Sequence, residues 1–295
     1  MVHLALRDLV LGDRHVDAQL VGQSKIRSYR ELIEIALGEN LTPRLFHQYH
    51  HDNKDAHVVL IRHDVDHSLD NAMVVAEIEY NMGIKSTYFM LHPGDYNSPE
   101  NYYGTLQDNK IFHTPGFFDR CRELQAMGHE IGLHNDFAQL SFLTGRAVRE
   151  LLVEEIAAFA DAGIKIHGSA SHGSEFARQQ QMTNYEIFAE CVSGSQAQGR
   201  AISRDGWEIA LHSIKLAEVG LEYEAYFLPR NMDFSDTGSQ LGLYSQKERV
   251  TAANIQSDDD VQQIRRMIRD QPDPRLVILA HPCWWTKCDV SRAGN

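Results

Sequence analysis

Four apolar residues, Val58-Val59-Leu60-Ile61, run directly into Arg62-His63-Asp64-Val65-Asp66, and this junction constrains the fold more than any other segment. An uninterrupted apolar run of this length, rich in β-branched residues, reads as a strand buried on both faces, the signature of a parallel sheet. Side chains alternate along a strand, so Asp64 and Asp66, two apart, project from one face. Sheets of this kind carry their chemistry at the carboxyl ends of their strands. Two carboxylates at that place suit a metal ligand beside a general base.

From Val58 onward, strand-like runs alternate with helical patterns. Ser68 or Asp70 caps a helix through Met73, Val74, Val75, Ile78 and Met82 that Gly83 closes. Residues 84–91 read as a strand. Thr114-Pro115 pairs an N-cap with proline at the first helical position, and that helix runs to Gly128. Residues 129–134 form the next strand. Thr144 opens a long helix ending at Gly163, followed by strands over 165–171 and 223–228. Ser257 and three aspartates start a helix with an acidic first turn, and 275–281 is the last strand. Such alternation with short loops predicts an α/β fold: a parallel sheet with helices outside, closed or nearly closed as a barrel. Before it, residues 28–40 read as a short amphipathic helix and Thr42-Pro43 as the start of another turn of helix. The expected organisation is an N-terminal helical extension over 1–56, packed on a barrel over 57–295. The topology of 175–220 stays open.

Composition narrows the partners. A net charge of −13 over 295 residues disfavours nucleic acid and anionic membranes, which both require a basic surface. No apolar stretch is long enough to span a bilayer. Charged residues through the first seventeen positions leave no visible secretory signal. Cys121, Cys191, Cys283 and Cys288 form no C-x-x-C pair, as expected of reduced thiols in a cytoplasmic protein. Sixteen histidines are too many for any one of them to carry weight by its presence alone.

Position gives some of them weight. Asp64 and Asp66 end one predicted strand, His134 ends another and His281 ends the last. In a barrel these ends converge on one mouth. Carboxylate oxygen and imidazole nitrogen are the usual ligands of zinc, which keeps an open position at catalytic sites. Asp64 can take a proton from an attacking water, and His281 can return one to a departing amine.

These residues resemble the polysaccharide deacetylase (NodB-homology) family, in the branch whose first motif is Arg-His-Asp-Val-Asp. The resemblance spans roughly residues 57–285. Arg62 to Asp66 matches the first motif, in which the first aspartate is the base and the last a metal ligand. Gly128-His129-Glu130-Ile131-Gly132-Leu133-His134 is similar to the strand leading into the second motif, whose histidine binds metal. Phe234-Ser235-Asp236-Thr237-Gly238 is similar to a Ser-Asp-Ser-Gly element. Leu279-Ala280-His281-Pro282 looks like the last motif, whose histidine is the general acid. The resemblance implies a distorted barrel of about seven parallel strands and metal-dependent removal of an N-acyl group from a sugar. On this reading Arg62, Asp236 and Trp284 contact the substrate, Trp284 by stacking on a sugar ring.

The chain departs from the family pattern at two places. Ala138 stands where a second histidine normally follows His134, and Ala170 where an arginine is frequent. A divalent ion, with zinc the first choice, would then have two ligands, Asp66 and His134, against the usual three. His172 is the preferred third ligand, ahead of Asp136 and His67. The expected substrate is an acetamido sugar, free, nucleotide-linked or lipid-linked, from surface-polysaccharide assembly. Two alternatives stay open: a carbohydrate-binding protein on an impaired deacetylase scaffold, and a metal hydrolase of a small non-sugar amide.

Overall fold

The computed structural model describes residues 26, 28–52, 55–94, 103–191, 199–204, 206–237, 241–245, 249–251 and 257–286. The expectations placed on the first seventeen residues, Gly238 and Cys288 fall outside them. The strands in chain order are β1 (Thr42–Arg44), β2 (Val58–Val65), β3 (Thr87–Leu91), β4 (Gly104–Gln107), β5 (Lys110–His113), β6 (Glu130–Asn135) and β7 (Gly168–Ser171). They continue as β8 (Ala201–Arg204), β9 (Trp207–Ala210), β10 (Tyr223–Glu224), β11 (Met232–Ser235), β12 (Gly242–Ser245), β13 (Arg249–Thr251) and β14 (Arg275–Ala280). The helices are α1 (Tyr29–Leu37), α2 (Phe46–His51), α3 (Leu69–Asn81), α4 (Phe117–Ala126), α5 (Phe137–Thr144), α6 (Val148–Asp161), α7 (Glu175–Gln179), α8 (Asp258–Arg269) and α9 (Pro282–Trp285).

All eight residues of β2 are buried, as its unbroken apolar start requires, and it lies near the middle of the main sheet. That sheet has ten strands in the order β10-β7-β6-β3-β2-β14-β11-β12-β13, with β1 added alongside the first half of β2. From β10 to β11 every neighbouring pair is parallel. The hairpin β12–β13 then extends the sheet in antiparallel sense. The sheet curls into a half-barrel and stays open, because β10 and β13 end the path without meeting. Closure as a barrel, expected from the alternation, is therefore corrected: β11 pairs with a following hairpin, and its free edge is never offered to β10. Two further hairpins, β4–β5 and β8–β9, stand apart from this sheet.

The period-two alternation of β2 divides the core. Val58 and Leu60 face inward with Phe89, Ala170, Tyr223 and Val277, while Val59 and Ile61 pack outward with α1 and α8. Helix α2 plugs the inner face with Phe46 and Tyr49, both fully buried and each worth roughly 2–3 kcal/mol of burial. Two glycines make room for the inner aromatics. A Cβ on Gly132 would sit 2.5 Å from the Phe89 ring, and one on Gly168 would sit 2.2 Å from the Tyr223 ring. Tyr223 Oη donates to Glu130 at 2.7 Å, and Glu130 also accepts from Thr87 Oγ1 at 2.8 Å and from the His47 N–H at 3.2 Å, which fastens the plug. With that end filled, the inner face is left for chemistry only at the carboxyl ends of the strands.

Local signals were overridden at three places. Thr42-Pro43 begins β1, where proline is tolerated because the strand pairs on one side only. Gly116 in left-handed conformation (φ 84°) precedes α4, so the helix starts two residues beyond the predicted Pro115. Thr144 ends α5 instead of opening the long helix; Gly145 (φ 64°) turns the chain, and α6 begins at Val148. No helix among the described residues is long and apolar enough to cross a membrane.

Candidate functional site

Because β2, β6 and β14 run parallel in one sheet, their carboxyl ends lie together, and the loop after β7 adds a fourth contributor. This brings Asp64, Asp66, His134, His172 and His281 into one cluster. His134 Nε2 lies 3.0 Å from Asp66 Oδ1 and 3.5 Å from Asp64 Oδ2. His172 Nε2 lies 3.9 Å and His281 Nε2 3.5 Å from Asp66 Oδ2.

The other nitrogen of each ring is pinned. His134 Nδ1 is 2.9 Å from the Ala170 carbonyl oxygen, which can only accept, so Nδ1 carries the proton. His172 Nδ1 donates to Asp136 Oδ2 at 3.1 Å, and His281 Nδ1 to Asp236 Oδ1 at 2.7 Å. Three imidazoles thus turn Nε2 toward one carboxylate. A neutral ring in this tautomer directs a lone pair at Asp66, and lone pair and carboxylate repel at 3.0 Å unless a cation or a proton lies between them. Asp66 Oδ1 is buried and accepts no hydrogen bond, which leaves it available as a ligand. Donor atoms of Asp66, His134 and His172 all lie within 4.8 Å of one another, the one such group among the described residues. One carboxylate and two imidazoles, each ring oriented by a hydrogen bond on its far side, fit a divalent ion.

Electrostatics separates the two aspartates. Burial pushes Asp64 up, but Arg62, His134 and His281 outweigh it and hold the carboxyl below its usual range. Burial acts likewise on Asp66, and His134, His172 and His281 bring it well below. Arg62 grips Asp64 through two hydrogen bonds, Nε to Oδ1 at 2.6 Å and Nη2 to Oδ2 at 2.7 Å. On the far side, burial would lower His281, yet Asp236, Asp66 and Asp64 raise it to about 9. Asp236 also accepts from the His281 backbone N–H (2.8 Å) and from Trp285 Nε1 (2.7 Å).

The predicted substrate residues take up positions around this cluster. Arg62 is buried against Asp64, Asp236 lies beneath His281, and Trp284 stacks on the His281 ring with centroids 4.1 Å apart. Asp136, the second choice of ligand, orients His172 and accepts from Ser174 Oγ and Asn184 Nδ2, both at 2.9 Å. His67 is outside the group. Ala138 sits fully buried in the apolar core on the first turn of α5. Sequence reasoning missed Asn184, whose amide also donates to the His172 carbonyl oxygen at 2.9 Å, because it comes from the unparsed 175–220 segment. It also missed Tyr226, stacked 4.5 Å from the Arg62 guanidinium, and Glu224, which accepts from Ser169 Oγ at 2.5 Å and which burial raises to about 7. Compared with models of known protein families, with curated proteins and with solved structures, the chain finds no match, so its functional reading rests on the chemistry of these side chains.

Proposed function

We propose that this chain is a metal-dependent amide hydrolase of the polysaccharide deacetylase type, which removes an N-acyl group from an amino sugar during assembly of a surface polysaccharide or other glycoconjugate. The observation that carries the reading is the convergence of three oriented imidazoles on Asp66, with Asp64 fixed alongside. Asp66, His134 and His172 would hold the ion, and their nitrogen and oxygen donors suit zinc. A divalent ion bound there supplies Lewis acidity, acidifying a water and polarising the acyl oxygen.

The side chains supply the rest. Asp64 stays ionised and immobile in the grip of Arg62, and it takes the proton of the attacking water. The water oxygen bonds to the acyl carbon, the C–N bond breaks, and the acyl group leaves as a carboxylic acid that gives its proton to solvent. His281, held protonated by Asp236, delivers a proton from Nε2 to the departing nitrogen. The free thiols Cys121, Cys191 and Cys283 suit a reducing compartment such as the cytoplasm.

The test pairs metal analysis with an assay for amine release from acetamido sugars. Zinc should bind one per chain, chelation should abolish turnover, and Asp66→Ala should lose both metal and activity. A zinc-loaded protein that releases amine from no acetamido sugar would sink the proposal.

A further inference from the structure

A wall of aromatic side chains stands beside the site and takes no part in the chemistry above. It is built from two 3₁₀ turns, Asn184–Ile187 and Ala225–Phe227, which follow the neighbouring parallel strands β7 and β10 and so rise at the same end of the sheet as the cluster. Tyr185 meets Phe227 edge-on with ring centroids 5.0 Å apart, and Tyr226 at 6.1 Å. The wall is tied to the site at both ends. Tyr226 lies over the Arg62 guanidinium that grips Asp64, and the Tyr185 N–H donates to Ser171 Oγ at 3.1 Å, one residue before His172. Asn184, next to Tyr185, bonds both Asp136 and the His172 carbonyl oxygen.

Phe227 is 46 % exposed and Tyr226 37 %, and Tyr185 beside them is half-buried. Leaving such rings in water forgoes roughly 1–2 kcal/mol apiece that burial would return. Rigid rings with exposed faces beside a polar cluster match a ligand that is itself two-sided, with apolar C–H faces and a hydroxyl edge. A pyranose ring has that form.

Charge decides which glycan. The two guanidiniums at the wall are already occupied, Arg62 by Asp64 and Arg230 by Asp233 at 2.7 Å and by the Tyr226 carbonyl oxygen at 2.6 Å. A diphosphate could pair with either arginine only by competing with the carboxylate it already holds. We infer that Tyr185, Tyr226 and Phe227 form a stacking subsite for an uncharged glycan, holding a sugar ring next to the one whose amide is cleaved, and that the site discriminates against nucleotide-linked sugars. This rests on the hydrolase reading for the reacting ring but not for the stacked one.

The test uses zinc-loaded full-length protein, an uncharged trimer of N-acetylglucosamine and uridine-diphosphate-linked N-acetylglucosamine, with binding by calorimetry and turnover by amine release. Phe227→Ala should weaken trimer binding at least tenfold and raise KM with little change in kcat, while Phe227→Trp should retain both. The nucleotide-linked sugar should bind more weakly than the trimer. Zinc affinity, measured alongside, should be unchanged, because Phe227 touches no metal ligand, and the thermal midpoint should fall by no more than a few degrees, because the ring is already about half in solvent. Trimer binding lost in Phe227→Ala without amine release from wild type would leave the subsite standing and remove the hydrolase. Amine release from the trimer with equal KM in both proteins would do the reverse. Wild type that binds no trimer, or prefers the nucleotide-linked sugar, overturns the subsite.

Discussion

Replacing Glu79 by glutamine should destabilise the protein by about 3 kcal/mol at neutral pH, and the loss should fade in acid. Glu79 lies on α3, wholly buried behind β2. Its Oε1 accepts from Tyr29 Oη at 2.5 Å and His63 Nε2 at 2.9 Å, and its Oε2 from Ser86 Oγ at 2.6 Å and Tyr88 Oη at 2.7 Å. Burial alone would raise its pKa, but His63, His129 and Ser86 prevail and lower it from 4.5 to about 2. At about 1.4 kcal/mol per unit, that difference contributes on the order of 3 kcal/mol. Breaking a buried pair by removing one partner costs roughly 3–5 kcal/mol, in agreement. The folded value lies below the unfolded one, so this stability is complete above about pH 5 and is lost as pH falls from 4.5 toward 2. Urea unfolding of wild type and Glu79→Gln at pH 7 and pH 3 measures it. By pH 3 about 2 kcal/mol of the gap should be gone, since most of the unfolded carboxyl is protonated there and the folded one is not. A gap of equal size at both pH values would show that the network acts through shape and not through charge.

Asp64→Asn should bind zinc as wild type does and lose turnover by a factor of about 10²–10⁴, because a base goes while the three ligands stay; zinc titration beside steady-state kinetics checks both halves. Asp136→Asn should weaken zinc binding about 10–100-fold by loosening His172, and an unchanged affinity in a competition titration would remove Asp136 from the support of the site. Ala138→His should cost about 1–3 kcal/mol of stability by overpacking the core without tightening zinc. Tighter zinc in that variant would mean that the first turn of α5 reaches the ion.

What could be read from the chain follows from what local sequence encodes. The apolar run into Asp64 and Asp66, the strand ending at His134 and the strand before His281 announced themselves because burial on both faces leaves unbroken apolar runs, and the polar residues that end them stand out. The convergence of those ends follows from parallel pairing. Helix α5 escaped notice for the opposite reason: Phe137–Thr144 is packed on several sides, so its apolar residues form no stripe and its sequence lacks a helical period. Residues 223–228 have strand composition, yet the chain leaves the sheet after Glu224 into a 3₁₀ turn. Strand β11, which leads directly into Asp236, is four residues long, too short for its alternation to stand out from the surrounding sequence. The openness of the sheet was invisible because it depends on which edge β11 offers to which partner. The orientation of His172 was equally hidden, since it joins Asp136, Ser174 and Asn184 from loops whose proximity exists only after β6 and β7 have paired.

The two interior glycines couple positions far apart in the chain. Gly168 makes room for the Tyr223 ring and Gly132 for the Phe89 ring, each pair being register partners on hydrogen-bonded neighbouring strands. Neither member of a pair is free to drift alone, because a methyl on the glycine collides with the ring and a smaller residue in place of the ring opens a void. Over evolutionary time such positions should change only together, volume lost on one strand being recovered on its neighbour. Sequences that diverge from this one should therefore keep the summed size at 168 and 223, and at 132 and 89, more faithfully than the identity of any of the four residues.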